Sequence, residues 1–214
     1  MASEAVIEPM FRSVGQALSI AFSVAESPAS VKGTTDRALK DLAERRYGAA
    51  PRLDADRTLN RDGLKDNEFR AQCALVIRMV DDRLAGHARD TIIARYSKTV
   101  VKRAYAVRSL RDHFASLCNT QHHDAILALC WAIYAPSVTA FPNESVQDFN
   151  ARRKRRELEW STRSIEKEYG VGRSVLRRDQ GMLRELFHGI ETRALETLET
   201  AFIAAGLLPM PDND

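Results

Sequence analysis

Basic residues are concentrated in one short part of this chain, around a glycine that could form a tight turn. Residues 151–178 contain ten Arg or Lys against four Glu, whereas the net charge of all 214 residues is only +3. Arginine donates hydrogen bonds in a planar fork that suits phosphate oxygens and the edges of guanine bases. Because attraction to phosphate depends on local charge density, this segment is a candidate binding site for a polyanion.

The same segment has the pattern of two short helices joined by a turn. Gly170 lies where the turn needs a residue that tolerates positive φ. Apolar residues that could hold the two helices together recur at suitable spacing: Ile165, Tyr169, Val171 and Leu176. This pattern predicts a helix-turn-helix, in which the second helix is placed in a groove of double-stranded DNA.

The candidate DNA contacts are the polar residues that would face outward from this motif. They are Arg163 on the first helix and Arg173, Ser174, Arg177, Arg178 and Gln180 on the second. A second group lies just upstream and consists of Arg152, Arg153, Lys154, Arg155 and Arg156. Such side chains can contact base edges or phosphates, although a run of charge is also typical of a solvated helix face. Both interpretations stay open for residues 152–156.

Two residues depart from the usual helix-turn-helix pattern. Glu166 stands where a small residue normally allows close helix approach, and Asp179 stands where an aliphatic residue normally faces the core. We expect Glu166 to angle outward and Asp179 to pair with a neighbouring arginine. An ordinary helical hairpin with solvated arginines is the alternative interpretation of this segment.

The rest of the chain predicts an all-α fold, a helical bundle body followed by the C-terminal helix-turn-helix. Apolar residues recur at helical spacing nearly everywhere, and no stretch shows the alternation of a strand. Helices are predicted within residues 10–26, 34–48, 67–84 and 126–133, and within 92–117 as one helix or as two broken near Ser97 or Ser109. The clearest stripe is Phe69, Cys73, Val76, Val80 and Leu84.

Segments rich in helix breakers divide the chain into three predicted parts. Residues 49–57 and 136–143 have the composition of loops or linkers. The parts are an N-terminal helical segment at 1–48, a helical body at 67–135 and a separate DNA-binding module at 145–206, which we call the predicted reader. A final helix in the predicted reader carries Leu195, Leu198 and Phe202 and ends at Gly206. Its apolar face could pack on the motif or pair two copies in a homodimer.

Composition indicates the cellular compartment of the protein and argues against a membrane or secreted class. The chain is 44% hydrophobic and 29% charged, and no apolar run approaches the roughly 20 residues that a membrane span needs. Residues 1–4 lack the basic start of a secretory signal peptide. Cys73, Cys118 and Cys130 have spacings unlike a disulfide framework. We therefore expect a cytoplasmic protein with buried thiols and no membrane partner.

No pattern of catalytic or metal-binding residues stands out. Cys118, His122, His123 and Cys130 lie within thirteen residues, but their spacing is not that of a zinc finger. His87 and His113 are isolated in sequence and are expected to be cap or surface residues. Phosphate-binding loops, nucleophile elbows and metalloprotease motifs are absent from the sequence. We expect no catalytic residues, no metal and no cofactor, and hence not an enzyme.

Residues 88–96 resemble the opening helix of bacterial sigma-factor region 4. The shared pattern is Arg-Asp-x-Ile-x-x-Arg-Tyr, carried here by Arg89, Asp90, Ile92, Arg95 and Tyr96. In sigma factors this helix lies close to the helix-turn-helix, whereas about 65 residues separate the two here. With residues 160–187, the chain is similar to phage late-gene antiterminators of the Q type.

The resemblance implies a phage or prophage antiterminator that binds promoter-proximal DNA and modifies RNA polymerase. Its implied partners are double-stranded DNA, bacterial RNA polymerase and sigma factor, with residues 1–48 as candidates for polymerase contact. Two alternatives stay open: a conventional helix-turn-helix repressor or activator, and a helical phage assembly or accessory protein.

Overall fold

The computed structural model describes residues 9–26, 66–134, 147 and 161–210, and none of these residues lies in a β-strand. The described elements are seven α-helices and one 3-10 turn at Ala115–Leu117. The α-helices are α1 Val14–Glu26, α2 Asp66–Arg83, α3 Gly86–Tyr96, α4 Val100–Phe114, α5 His123–Tyr134, α6 Thr162–Tyr169 and α7 Arg173–Ala204. The predicted all-α fold is confirmed.

The start of α1 is fixed by two side-chain hydrogen bonds. The backbone N–H of Gln16 donates to Ser13 Oγ at 3.2 Å, and the N–H of Arg12 donates to Gln16 Oε1 at 2.7 Å. The first bond satisfies a donor that the first helical turn leaves without a partner, and the second ties Gln16 to the chain just before the helix. The predicted apolar face of this helix, including Leu18 and Phe22, is buried.

The body of the fold follows the predicted apolar stripes. All five residues of the stripe from Phe69 to Leu84 are buried along α2 and just beyond its end. The segment 92–117 forms two helices, because the backbone is extended at Ser97 and α4 begins only at Val100. Of the two breaks considered, the one near Ser97 is correct.

Glu26 links α1 to the beginning of α4. Its carboxylate accepts hydrogen bonds from Ser97 Oγ at 2.7 Å and from the backbone N–H groups of Lys98 and Thr99, and Lys102 Nζ lies 3.5 Å away. Burial acts to raise the pKa of Glu26, but these hydrogen bonds and Lys102 together hold it below its ordinary value. The ionised carboxylate therefore caps α4, a helix that begins 74 residues after Glu26 in the sequence.

Buried apolar residues form two clusters, and α7 belongs to both. The terminal cluster joins α1 and α2 to the C-terminal half of α7, with Leu18, Val76 and Phe202 among its residues. The central cluster joins α4, α5 and α6 to the N-terminal half of α7, with Leu129 and Phe187 among its residues. Helix α3 also contacts both, because Ile92 lies in the terminal cluster and Ala94 in the central one.

The single helix α7 corrects the prediction of a separate final helix. Residues 173–204 are continuously helical for 32 residues, and the predicted end at Gly206 is confirmed by its φ of 70°. Burial in two successive clusters outweighs the low helix propensity of Gly181 and Gly189 within it. The described part of the predicted reader thus packs directly on helices from residues 67–134.

Several predicted segments lie outside the described residues: the helix at 34–48, the linkers at 49–57 and 136–143, and the basic block at 152–156. Among the helices that are described, none has the length and apolar character needed to cross a membrane.

Candidate nucleic-acid interface

A tight turn joins α6 to α7 at the position predicted for it. Helix α6 ends at Tyr169, and the next residue, Gly170, has φ 69° and donates its backbone N–H to Glu166 O at 2.9 Å. The chain then passes through Val171 and Gly172, and α7 begins at Arg173. Residues other than glycine are strained at such a φ, so Gly170 sets the abrupt change of direction.

The residues predicted to hold α6 and α7 together face the interior. Ile165 and Leu176 are buried, with 2% and 0% of their surfaces exposed. Tyr169 and Val171 are half-buried and pack against the central cluster. Helix α6 also begins as a capped helix, because Ser161 Oγ accepts from the backbone N–H of Ser164 at 3.2 Å.

The opposite side of α7 carries a row of exposed polar residues that we call the basic stripe. It consists of Ser174, Arg177, Arg178 and Arg184. Residues spaced by three, four and seven positions share one helix face, so the stripe runs along the first three turns of α7, where the exposed Glu185, seven residues after Arg178, ends it. No described residue forms a hydrogen bond or ion pair with any of the three stripe arginines. Their guanidinium groups are therefore available for a ligand.

The remaining described candidates differ in their availability. Arg163 is exposed on α6, like the stripe arginines, whereas Gln180 is half-buried on α7. Arg173 is engaged within the protein, because its Nε and Nη2 lie 2.8 and 2.7 Å from Glu166 Oε2. Glu166 thus angles outward, as expected, and makes an ion pair that bridges the turn. Arg173 would have to exchange this partner to contact DNA.

The expected pairing of Asp179 with an arginine is wrong. Asp179 is completely buried on α7. Its Oδ1 accepts hydrogen bonds from the backbone N–H of Asn119 at 2.9 Å and from Asn119 Nδ2 at 2.7 Å, and its Oδ2 accepts from the N–H of Thr120 at 2.9 Å. A buried carboxylate needs such partners, and here they belong to the loop that leads into α5. Asp179 is therefore a structural residue of the interface between α7 and this loop.

The sigma-like segment lies on α3 and packs against α7 despite its distance in sequence. Arg95 donates from Nε and Nη2 to the carboxylate of Glu191 on α7, at distances between 3.1 and 3.3 Å. The Arg95 guanidinium also lies over the Tyr134 ring, 5.2 Å from its centre. Ile92 is fully buried. These contacts join α3 and α5 to the middle of α7.

The cysteines and histidines do not converge on a metal site within the described parts of the chain. No group of three or more His, Cys, Asp or Glu side chains there could hold a metal ion. Cys130 is buried and Cys118 is half-buried; burial raises the pKa of the Cys130 thiol to about 12 and that of Cys118 to about 11. His122 contacts the Tyr169 ring instead, with ring centres 5.0 Å apart.

Two features of the site could not be anticipated from the motif alone. Arg184 extends the basic stripe by a turn, and its spacing of seven from Arg177 is the signal that would have identified it.

His87 and His113 stack on each other with ring centres 4.8 Å apart, although they are 26 residues apart in sequence. Nothing in their local sequence indicates this pairing.

Comparison with known proteins provides no further assignment. No family model matches the chain, and no curated protein is significantly similar to it in sequence.

Proposed function

We propose that this protein is a sequence-specific, DNA-binding transcription regulator. The observation that carries the proposal is the exposed, unpaired pair Arg177 and Arg178 on the first turns of α7, immediately after a glycine turn. Ile165 and Leu176 anchor the same two helices from the inside, so the arginines project from a rigid support. Such an arrangement suits insertion of α7 into the major groove of DNA.

Arg177, Arg178 and Ser174 are the proposed contacts to base edges and nearby phosphates. Arg163 on α6 and Arg184 on α7 have exposed guanidinium groups that suit phosphate contacts on either side. The block at 152–156, which lies outside the described residues, is proposed to add further phosphate contacts. Arg173 is a secondary candidate, because Glu166 already holds its guanidinium group.

The more specific form of the proposal is a phage or prophage antiterminator that acts on RNA polymerase. The packing of the sigma-like helix α3 on α7 supports it, because the ion pair between Arg95 and Glu191 joins α3 to the helix that also carries residues 173–187. DNA recognition and polymerase contact would then be made by one continuous helical body.

DNA binding is tested with a duplex enriched by the purified protein from a pool of random sequences. The double variant Arg177→Ala/Arg178→Ala should lose sequence-specific binding. The negative slope of log affinity against log salt should become shallower by about 2, since each lost phosphate contact changes the slope by about 0.9. The control Arg70→Ala/Arg193→Ala removes the same charge from exposed positions away from the stripe. Equal binding by the two double variants would refute the proposed interface.

The mode of regulation is tested by transcription in vitro with purified polymerase. The template carries a promoter, the selected binding sequence and a downstream terminator. Readthrough that requires the binding sequence supports antitermination, whereas a block of initiation identifies a repressor. If neither occurs and no sequence is enriched, a helical assembly or accessory protein becomes the better assignment.

A further inference from the structure

A second surface of the protein, on α4, exposes large apolar side chains. Val100, Val101 and Tyr105 are 73%, 61% and 70% exposed. We call these three residues the α4 patch. Three such residues within six positions of one helix are unusual, because isolated exposed apolar residues are common but clustered ones mark contact sites. Val101 and Tyr105 point away from the buried face of α4, which carries Ala106, Val107 and Leu110, and Val100 is exposed at the first residue of the helix.

The α4 patch adjoins a groove between helices. Tyr105 and Lys102 are exposed residues that line a cavity of about 470 Å³ between α1, α2, α3 and α4. The apolar residues that line it are Phe22, Ile77, Val80, Ile93 and Ala106. A volume of this size can accept one or two bulky side chains from another molecule. A flat bilayer surface would not fill it.

The charges around the α4 patch are mainly positive. Arg108 follows Tyr105 by three residues on the same face, is exposed and has no hydrogen-bond or ion-pair partner among the described residues. Lys98 is exposed, and its ammonium group donates to the neutral Ser23 Oγ, at 2.7 Å. Lys102 is 58% exposed, and its partner Glu26 is buried with 3% exposure.

The nearby carboxylates cancel only part of this charge. Asp81 is already paired with Arg89, whose Nε lies 2.8 Å away, whereas Asp90 accepts a hydrogen bond only from the neutral Ser109 Oγ, at 2.6 Å, and keeps its negative charge beside three exposed cations. Two copies placed patch to patch would bring their Lys98, Lys102 and Arg108 side chains together. Charge complementarity therefore favours an acidic occupant over a second copy in this orientation.

We infer that the α4 patch and its groove bind an acidic amphipathic helix of a partner protein. The apolar face of that helix would cover Val101 and Tyr105 and insert a side chain into the groove, while its carboxylates would face Lys102 and Arg108. This is the usual mode by which a helix docks in a groove between helices. The inference concerns a different helix from the proposed DNA interface and does not depend on DNA binding.

The test uses the full-length protein and a fluorescein-labelled model helix of about 18 residues. Leu and Phe occupy its positions i, i+3, i+4 and i+7, and Glu occupies the opposite face; a matched peptide carries Lys instead of Glu. Fluorescence anisotropy should show saturable binding of the Glu peptide and weaker binding of the Lys peptide. Tyr105→Ala and Arg108→Ala should each weaken binding of the Glu peptide, Tyr105→Ala by about tenfold or more.

Leu117→Ala is the matched control, because Leu117 is also exposed, at 56%, but is outside the patch. Unchanged affinity in this variant supports the assignment to the α4 patch. The inference is overturned if neither peptide binds, if both bind equally, or if Tyr105→Ala behaves like Leu117→Ala. It is equally overturned if sedimentation shows dimers that Tyr105→Glu abolishes, or if anionic vesicles bind the patch in place of the peptide.

Discussion

The carboxylate of Asp179 holds Asn119 through both its backbone and its side chain, with Oδ1 accepting two hydrogen bonds from that residue. Oδ2 binds the backbone N–H of Thr120, so one buried side chain on α7 fixes the loop that leads into α5. The position of the basic stripe relative to α5 therefore depends on a residue that cannot itself contact DNA.

Replacing Asp179 should destabilise the protein. Asp179→Asn retains one oxygen but turns an amide group toward a buried N–H donor, so at least one donor loses its partner. We expect a loss of about 2–4 kcal/mol in the free energy of unfolding, measured by urea denaturation with circular dichroism. The control is Asp112→Asn, at a carboxylate that is 57% exposed, which should change the free energy of unfolding by less than about 1 kcal/mol. Equal effects of the two variants would refute the structural role of Asp179.

Removing Glu166 should strengthen DNA binding under the proposed function. Glu166→Ala frees the Arg173 guanidinium and deletes a negative charge beside the turn. We expect the slope of log affinity against log salt to become steeper, that is more negative, by about 1, because one more arginine can reach a phosphate. Both partners are more than a third exposed, so little stability should be lost.

Glu168→Ala is the control for this change, since Glu168 is an exposed acidic residue on the same helix. It removes the same charge without releasing Arg173. If both variants have the same salt slope, the ion pair with Arg173 does not restrain DNA binding.

Substitutions at the two glycines of α7 should separate stability from binding. A Cβ added at Gly181 would meet no heavy atom within 4 Å, and one at Gly189 would meet only Arg193 Nη2, at 4.0 Å. Gly181→Ala and Gly189→Ala should each stabilise the protein by about 0.5–1 kcal/mol, because alanine favours the helix.

Only Gly181→Ala should weaken DNA binding. Gly181 is exposed between Arg178 and Arg184, so its added methyl group would face the DNA, whereas Gly189 lies about 12 Å further along the helix. Binding by filter retention and melting by circular dichroism measure the two effects. A stabilised Gly181→Ala variant with unchanged affinity would show that this part of α7 does not approach DNA closely.

Acid should weaken the link between α1 and α4. The pKa of Glu26 is lower in the folded protein than its ordinary value of 4.5. The contribution of its ionised carboxylate to the free energy of unfolding is therefore complete above pH 4.5 and is lost as the pH falls through the folded pKa. Glu26→Gln should therefore be less stable than the parent protein at neutral pH, and the difference should shrink below pH 4.5. Urea denaturation across this range measures the difference.

The matched control is Glu199→Gln, at an exposed glutamate on α7. It should leave the pH dependence of the free energy of unfolding unchanged. A constant difference between Glu26→Gln and the parent protein at every pH would contradict the role of the ionised carboxylate.

Local patterns in the sequence predicted the elements of the fold but few of the contacts between them. The stripe from Phe69 to Leu84 and the glycine turn at Gly170 are correct, because periodic burial and positive φ leave direct marks in the sequence. The continuity of α7 was missed, since packing on both clusters overrides Gly181 and Gly189. The bonds of Asp179 to Asn119 and of Arg95 to Glu191 join residues 60 and 96 positions apart, which no local pattern indicates.

The length of α7 has a consequence for how the protein unfolds. Its 32 residues form a rod of about 48 Å, and each half is part of a different apolar cluster. Neither cluster can melt without exposing part of the helix that supports the other, so loss of structure should be cooperative across both. A ligand at the arginine-bearing end would then raise the melting temperature of the whole body, including helices it never touches.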